Sequence, residues 1–142
     1  MKIATVYRRG ERIFVHSSSR TTAGVWVLTD PVLAVDGDNP ARLGGAVLDA
    51  LGGSREGVNH PTSWKGIFDP VLRLAKARSW NTFAESAKCV EVEFEGDTIS
   101  IFPTRNLGSR DGFERIPGKS KISGPTVEEV GAATLQALRD AE

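Results

Sequence analysis

The side chains able to do covalent or metal chemistry are few. The chain has one cysteine, Cys89, and two histidines, His16 and His60, among 142 residues. A thiol nucleophile needs an imidazole and an orienting group beside it, so a small hydrolase or transferase would have to use His60 with Cys89 or with Asp69. Each residue also has a plainer reading. Cys89 opens an alternating β-segment and reads as a small buried hydrophobe. His16 ends a strand and reads as an ordinary, partly exposed side chain, and His60 precedes Pro61 in a loop. No CxxC or HExxH spacing is present. Gly44-Gly45 and Gly52-Gly53 fall within and at the end of a helical pattern, without the Lys-Ser/Thr of a phosphate-binding loop, so they read as packing and capping positions. This reading assigns no catalytic residue, no metal site and no cofactor.

The remaining candidates are charged or aromatic groups suited to binding. Glu91, Glu93 and Glu95 alternate along one strand, and with Glu85, Asp97 and Lys88 they give Glu85 to Thr98 a local charge of −4. Such a row reads as a solvated sheet face or as an acidic docking surface that speeds encounter with a basic partner. Arg105, Arg110 and Arg115 fall in a basic stretch, where they would aid solubility or contact phosphate or a partner's carboxylates. Trp and Arg are enriched among interface hot spots. Trp64 sits in a loop between Pro61 and Gly66, whereas Trp26 and Trp80 read as core. The candidate partner-binding set is therefore Glu91, Glu93, Glu95, Asp97, Trp64, Arg105 and Arg110. Lys plus Arg and Asp plus Glu are both 18, giving zero net charge. That balance argues against direct nucleic-acid binding, which draws its affinity from phosphate neutralisation. An RNA-binding module built on the basic loop is the other binding alternative.

The elements that must carry these residues follow from periodicity. Ile3 to Arg8 and Arg12 to His16 flank a Gly-containing turn and predict a hairpin. Val25 to Leu28 reads as a buried strand and Val32 to Val35, after Pro31, as a short or edge strand. Asn39 caps a helix with Pro40 at its first position; Leu43, Ala46, Val47, Ala50 and Leu51 form its apolar stripe. Ser54 to Gly66 reads as loop. Asp69-Pro70 repeats the cap-and-proline start, and a shorter helix is expected near Asn81 to Ala87. Cys89 to Glu95 and Thr98 to Phe102 predict a second hairpin, one face buried and one carboxylate-bearing face in water. Leu107 to Lys121 reads as a long surface loop, and Thr126 with Glu129 has the spacing of a capping box. Strands and helices do not alternate regularly. The expected fold is therefore α+β: one domain over 1–142, a largely antiparallel sheet covered by helices, and a C-terminal helix.

Composition supports a folded domain, with 39% hydrophobic and 25% charged residues, enough apolar surface for a core without disulfides. The N-terminal residues lack a secretory pattern and no stretch approaches the roughly 18 apolar residues of a membrane span. The expectation is a cytoplasmic protein.

Three segments carry a resemblance: His60-Pro61-Thr62-Ser63-Trp64-Lys65-Gly66, Ser79-Trp80-Asn81-Thr82-Phe83-Ala84, and Ile101-Phe102-Pro103-Thr104-Arg105-Asn106. Together they resemble the central part of bacterial contact-dependent growth inhibition (CDI) immunity proteins, over roughly Leu43 to Phe113. The resemblance implies a cytoplasmic, non-enzymatic protein that forms a heterodimer with the cognate C-terminal toxin domain and blocks it. Such toxins are commonly nucleases, often acting on tRNA, so acidic groups would suit an inhibitor. No family motif transfers contact residues to this chain.

Overall fold

The computed structural model describes all residues, Met1 to Glu142. Eight strands form one sheet: β1 (Lys2–Arg9), β2 (Arg12–Thr21), β3 (Trp26–Asp36), β4 (Glu56–Val58), β5 (Lys88–Glu95), β6 (Thr98–Asn106), β7 (Phe113–Arg115) and β8 (Lys121–Ser123). The order across the sheet is β3-β2-β1-β5-β6-β7, with β4 also on β2 and β8 also on β6. All pairings are antiparallel except β2 with β4. Four helices complete the fold: α1 (Pro40–Gly53), α2 (Asp69–Ala75), α3 (Trp80–Glu85) and α4 (Val127–Asp140). The α+β architecture with a terminal helix is the one the sequence predicts.

Side-chain alternation divides the sheet into two different faces. On one, Ala4, Val6, Ile13, Val15, Val90, Val92 and Ile101 meet Leu43, Val47 and Leu51 of α1 and Val130, Leu135 and Leu138 of α4. Each fully buried aliphatic side chain there contributes about 1.5–3 kcal/mol by leaving water. The helices start where expected: Asn39 Oδ1 accepts the Arg42 N–H, and Thr126 Oγ1 accepts the Glu129 N–H. Between α1 and α4 the backbones touch, because a Cβ on Gly44 would overlap the carbonyl oxygen of Val127 and one on Gly131 that of Pro40.

The opposite face is only half covered. At the end nearest the β1–β2 turn, Tyr7, Phe14 and Cys89 pack with Val71 of α2 and with Phe83 and Ala87, forming a smaller second cluster. Trp80 stacks on Phe68 with ring centroids 3.9 Å apart and on Phe83 at 5.5 Å. Phe68 itself is the N-cap of α2, so Asp69 lies in the first turn and is not the cap the sequence suggested. Ser79 caps α3, accepting the Thr82 N–H at 3.2 Å, which starts that helix at Trp80, one residue earlier than expected, and ends it at Glu85.

Several expectations are corrected. β2 runs on past His16 through Ser17, Ser18 and Ser19 to Thr21. The two segments expected around Pro31 are one strand, β3, with Asp30 and Pro31 left out of the ladder where the register shifts opposite His16 and Ser17. Proline, having no N–H to donate, is accommodated at such an irregularity. The expected loops at 54–66 and 107–121 contain β4 and β7, and β8 follows at Lys121–Ser123.

Candidate functional site

Strand register fixes the floor of the uncovered half. Ser18, Ile3 and Glu93 lie side by side across β2, β1 and β5; His16, Thr5 and Glu91 form the next row, and Tyr7 and Cys89 the one after. Trp26 and Leu28 of β3, with Trp64, Ile67 and Phe68 of the β4–α2 connection, make one wall; Phe113 and Arg115 of β7 make the other. The result is an open groove of about 530 Å³, lined mainly by apolar side chains. Trp64 stands at its rim, 51% exposed, edge-on to His60 with ring centroids 5.6 Å apart. Trp26 is half-buried at the same wall and is not the core residue expected.

The carboxylate row is not simply a face in water. Arg115 Nε donates to Glu91 Oε1 at 2.7 Å and Arg115 Nη2 to Glu93 Oε1 at 2.6 Å. The same guanidinium lies over the Phe102 ring, 3.8 Å from its centroid. Partial burial works against the Arg115 charge, but the hydrogen bonds to Glu91 and Glu93 outweigh it and hold the guanidinium pKa above its ordinary value. Glu91 and Glu93 are half-buried in the groove, while Glu95 and Asp97 are exposed at the β5–β6 turn. Of the two other arginines in the candidate set, Arg105 on β6 pairs with Glu142 at 3.1 Å, and Arg110 is exposed in the turn before β7. The structure thus brings Glu91, Glu93 and Trp64 to one groove and leaves Glu95, Asp97, Arg105 and Arg110 outside its lining. Sequence reasoning noticed Arg115 but had no signal for its partners, because the β6–β7 pairing that delivers it spans only three residues.

The three buried groups that might do acid–base or nucleophilic work, Tyr7, His16 and Cys89, are held neutral. Burial first, and then the charge on Glu91, push the Cys89 thiol well above its usual range, so the thiolate required for attack is scarce. Burial lowers His16 to about 4 despite its hydrogen bond to Ser17. Its Nδ1 lies 2.8 Å from the Ser17 carbonyl oxygen, and its Nε2 is 3.4 Å from the Tyr7 hydroxyl. His16 is therefore buried within the sheet, not partly exposed as its strand-end reading implied. Tyr7 is raised by burial, then by Cys89 and Glu91. His60 is exposed, its Nδ1 bonded to Thr21 Oγ1 at 3.0 Å, and it does not line the groove; nor does Asp69. No three His, Cys, Asp or Glu side chains converge as metal ligands, and no helix is long and apolar enough to cross a membrane.

These features define an α+β protein with one sheet face sealed by two helices and the other opened by a charged, aromatic-walled groove. No family model and no curated protein matches the sequence. Solved structures share the fold, two of them over nearly the whole chain. One is a protein of unknown function, NMB0488, from Neisseria meningitidis, with TM-score 0.81 and 16% identity over 99% of this chain and 95% of that one. The other belongs to the CdiA-CT/CdiI toxin and immunity complex from Yersinia pseudotuberculosis, with TM-score 0.80 and 17% identity over 99% of this chain and 97% of its counterpart. The chain has a CdiI-like fold.

Proposed function

We propose that this protein is a cytoplasmic immunity protein that binds and neutralises the C-terminal toxin domain of a contact-dependent growth inhibition system, without turning over a substrate. The observation that carries the reading is a fold shared, over nearly the whole chain, with a component of a toxin and immunity complex. The groove is consistent with it, since aromatic walls and half-buried charges suit protein recognition. Buried, neutral Cys89 and His16 are poor candidates for nucleophile and base. The toxin is proposed to be a nuclease acting on RNA, in which case the complex either covers its phosphate-binding site or blocks the approach to it. Asp97, Glu95, Arg105 and Arg110 would then form an outer contact rim.

The test is co-expression with the toxin domain encoded immediately upstream. Rescue of growth, a 1:1 complex on size-exclusion chromatography and loss of toxin activity in vitro are the expected results. A chain that neither rescues nor binds that domain is not its immunity protein. Protection retained by a folded His60→Ala/Cys89→Ala variant would set aside the hydrolase or transferase alternative.

A further inference from the structure

The floor of the groove is electrically incomplete. Two carboxylates, Glu91 and Glu93, face a single guanidinium, and Arg115 engages only Oε1 of each. The second oxygen of each has no donor within the protein. The other ionisable groups lining the floor are uncharged near neutral pH, because Tyr7, His16 and Cys89 are all buried in their neutral forms. The N-terminal ammonium of Met1 at the rim shares Glu56, at 3.8 Å, with Arg20 at 3.6 Å, and makes no ion pair with Glu91 or Glu93. The floor therefore carries one uncompensated negative charge, with side-chain exposures of 33% for Glu91 and 20% for Glu93. Charge withdrawn from water in this way favours a partner that replaces the lost solvation. Glu95 and Asp97, exposed just beyond on the same hairpin, extend the negative potential outward.

Resting on the immunity reading, we propose that this groove receives one lysine or arginine of the toxin domain, flanked by apolar residues, which completes the Glu91–Glu93–Arg115 cluster. The cationic head takes the free carboxylate oxygens opposite Arg115. Its aliphatic stem and its apolar neighbours lie against Trp26, Trp64 and Phe113, as long basic side chains do when their charge is held at one end and their methylenes on apolar surface. An acidic side chain directed at Arg115 would meet two nearer carboxylates and be repelled.

The probe is the purified upstream toxin domain, titrated calorimetrically into the full chain and its variants, each checked for an unchanged circular dichroism spectrum. Glu91→Gln/Glu93→Gln should weaken binding by about 10- to 100-fold, chiefly through faster dissociation. Arg115→Gln, which leaves the floor more negative, should bind as tightly as the parent or tighter. The control Glu128→Gln, exposed on α4 at the opposite face of the sheet, should change affinity by less than about threefold. On the toxin side, one Lys or Arg replaced by Met should reproduce the loss and show no further loss against the double Gln variant. If Arg115→Gln does not fold, the Gln variants and the toxin-side scan still decide. Unchanged affinity of the double Gln variant, or tighter binding by it together with weaker binding by Arg115→Gln, overturns this inference while leaving the immunity reading intact. No complex with the parent chain overturns both.

Discussion

Replacing Gly44 by Ala adds one methyl group where α1 crosses α4. Built on the existing backbone, that carbon overlaps the Val127 carbonyl oxygen and stands 2.8 Å from its carbonyl carbon and 2.9 Å from the Gly131 nitrogen, whereas ordinary contact begins at 3.4 Å. All three neighbours are backbone, so no side-chain rotation relieves the clash, and the helices must part by more than about 1 Å. Parting them loosens the packing of Leu43 and Val47 with Val130, Leu135 and Leu138. Gly45 is the matched control, since a Cβ there meets nothing within 4 Å. Both substitutions gain about 1 kcal/mol of helix propensity, but only Gly44→Ala incurs overpacking, which costs about 3 kcal/mol at the upper end for a contact this rigid. Gly45→Ala should therefore be more stable than the parent by about 1 kcal/mol and Gly44→Ala less stable by about 2 kcal/mol. Thermal midpoints followed by circular dichroism should move up by roughly 3 °C and down by roughly 6 °C respectively. Urea titrations at constant m-value would give the same ordering. A Gly44→Ala protein as stable as the parent, or two variants shifting in the same direction, would refute the close crossing.

The Ser54 hydroxyl accepts the Ile3 N–H at 3.0 Å and donates to the Ser18 carbonyl at 2.5 Å; Ser54→Ala orphans both and should lose about 2 kcal/mol in urea unfolding, an unchanged midpoint being the contrary result. His16 has a folded pKa of about 4 against 6.5 ordinarily, so the unfolded chain binds the proton first as pH falls. Its contribution is complete above 6.5 and lost between 6.5 and 4, by up to about 3 kcal/mol. His16→Gln should flatten the stability profile in that window, and a profile as steep as the parent's would assign the loss to other groups. Cys89, buried and protonated, should resist thiol reagents at pH 8 until the protein is unfolded, and stoichiometric labelling of the native protein would contradict its burial.

What could be read from the sequence was whatever depends on neighbours in the chain. The Asn39-Pro40 start, the Thr126–Glu129 spacing and the two Gly-turn hairpins need only a few consecutive residues, and each is found. The continuation of β2 through Ser17-Ser18-Ser19 was hidden because three serines look like surface. They are buried because partners distant in sequence satisfy two of them: Ser18 meets Thr5, and Ser19 meets Thr29 and the Arg55 N–H. β4, β7 and β8 are three residues each, too short for any period to register. The groove takes much of its walls from β7 and from the β4–α2 connection, so those walls were the least visible part.

The acidic strand shows why alternation alone cannot assign a face to water. Period-two patterning states that Glu91 and Glu93 lie opposite Val90 and Val92; it is silent on what folds over them. Here the chain returns after β6 and places Arg115 on both carboxylates, while the Phe102 ring backs the guanidinium. One cation over two anions is a half-finished arrangement. It keeps the row from repelling itself, and it is the feature on which the proposed docking of a basic side chain rests. Surface carboxylates spread in water would contribute little to affinity. Gathered on a groove floor between aromatic walls, the same residues would, on the proposed reading, discriminate among partners by both charge and shape.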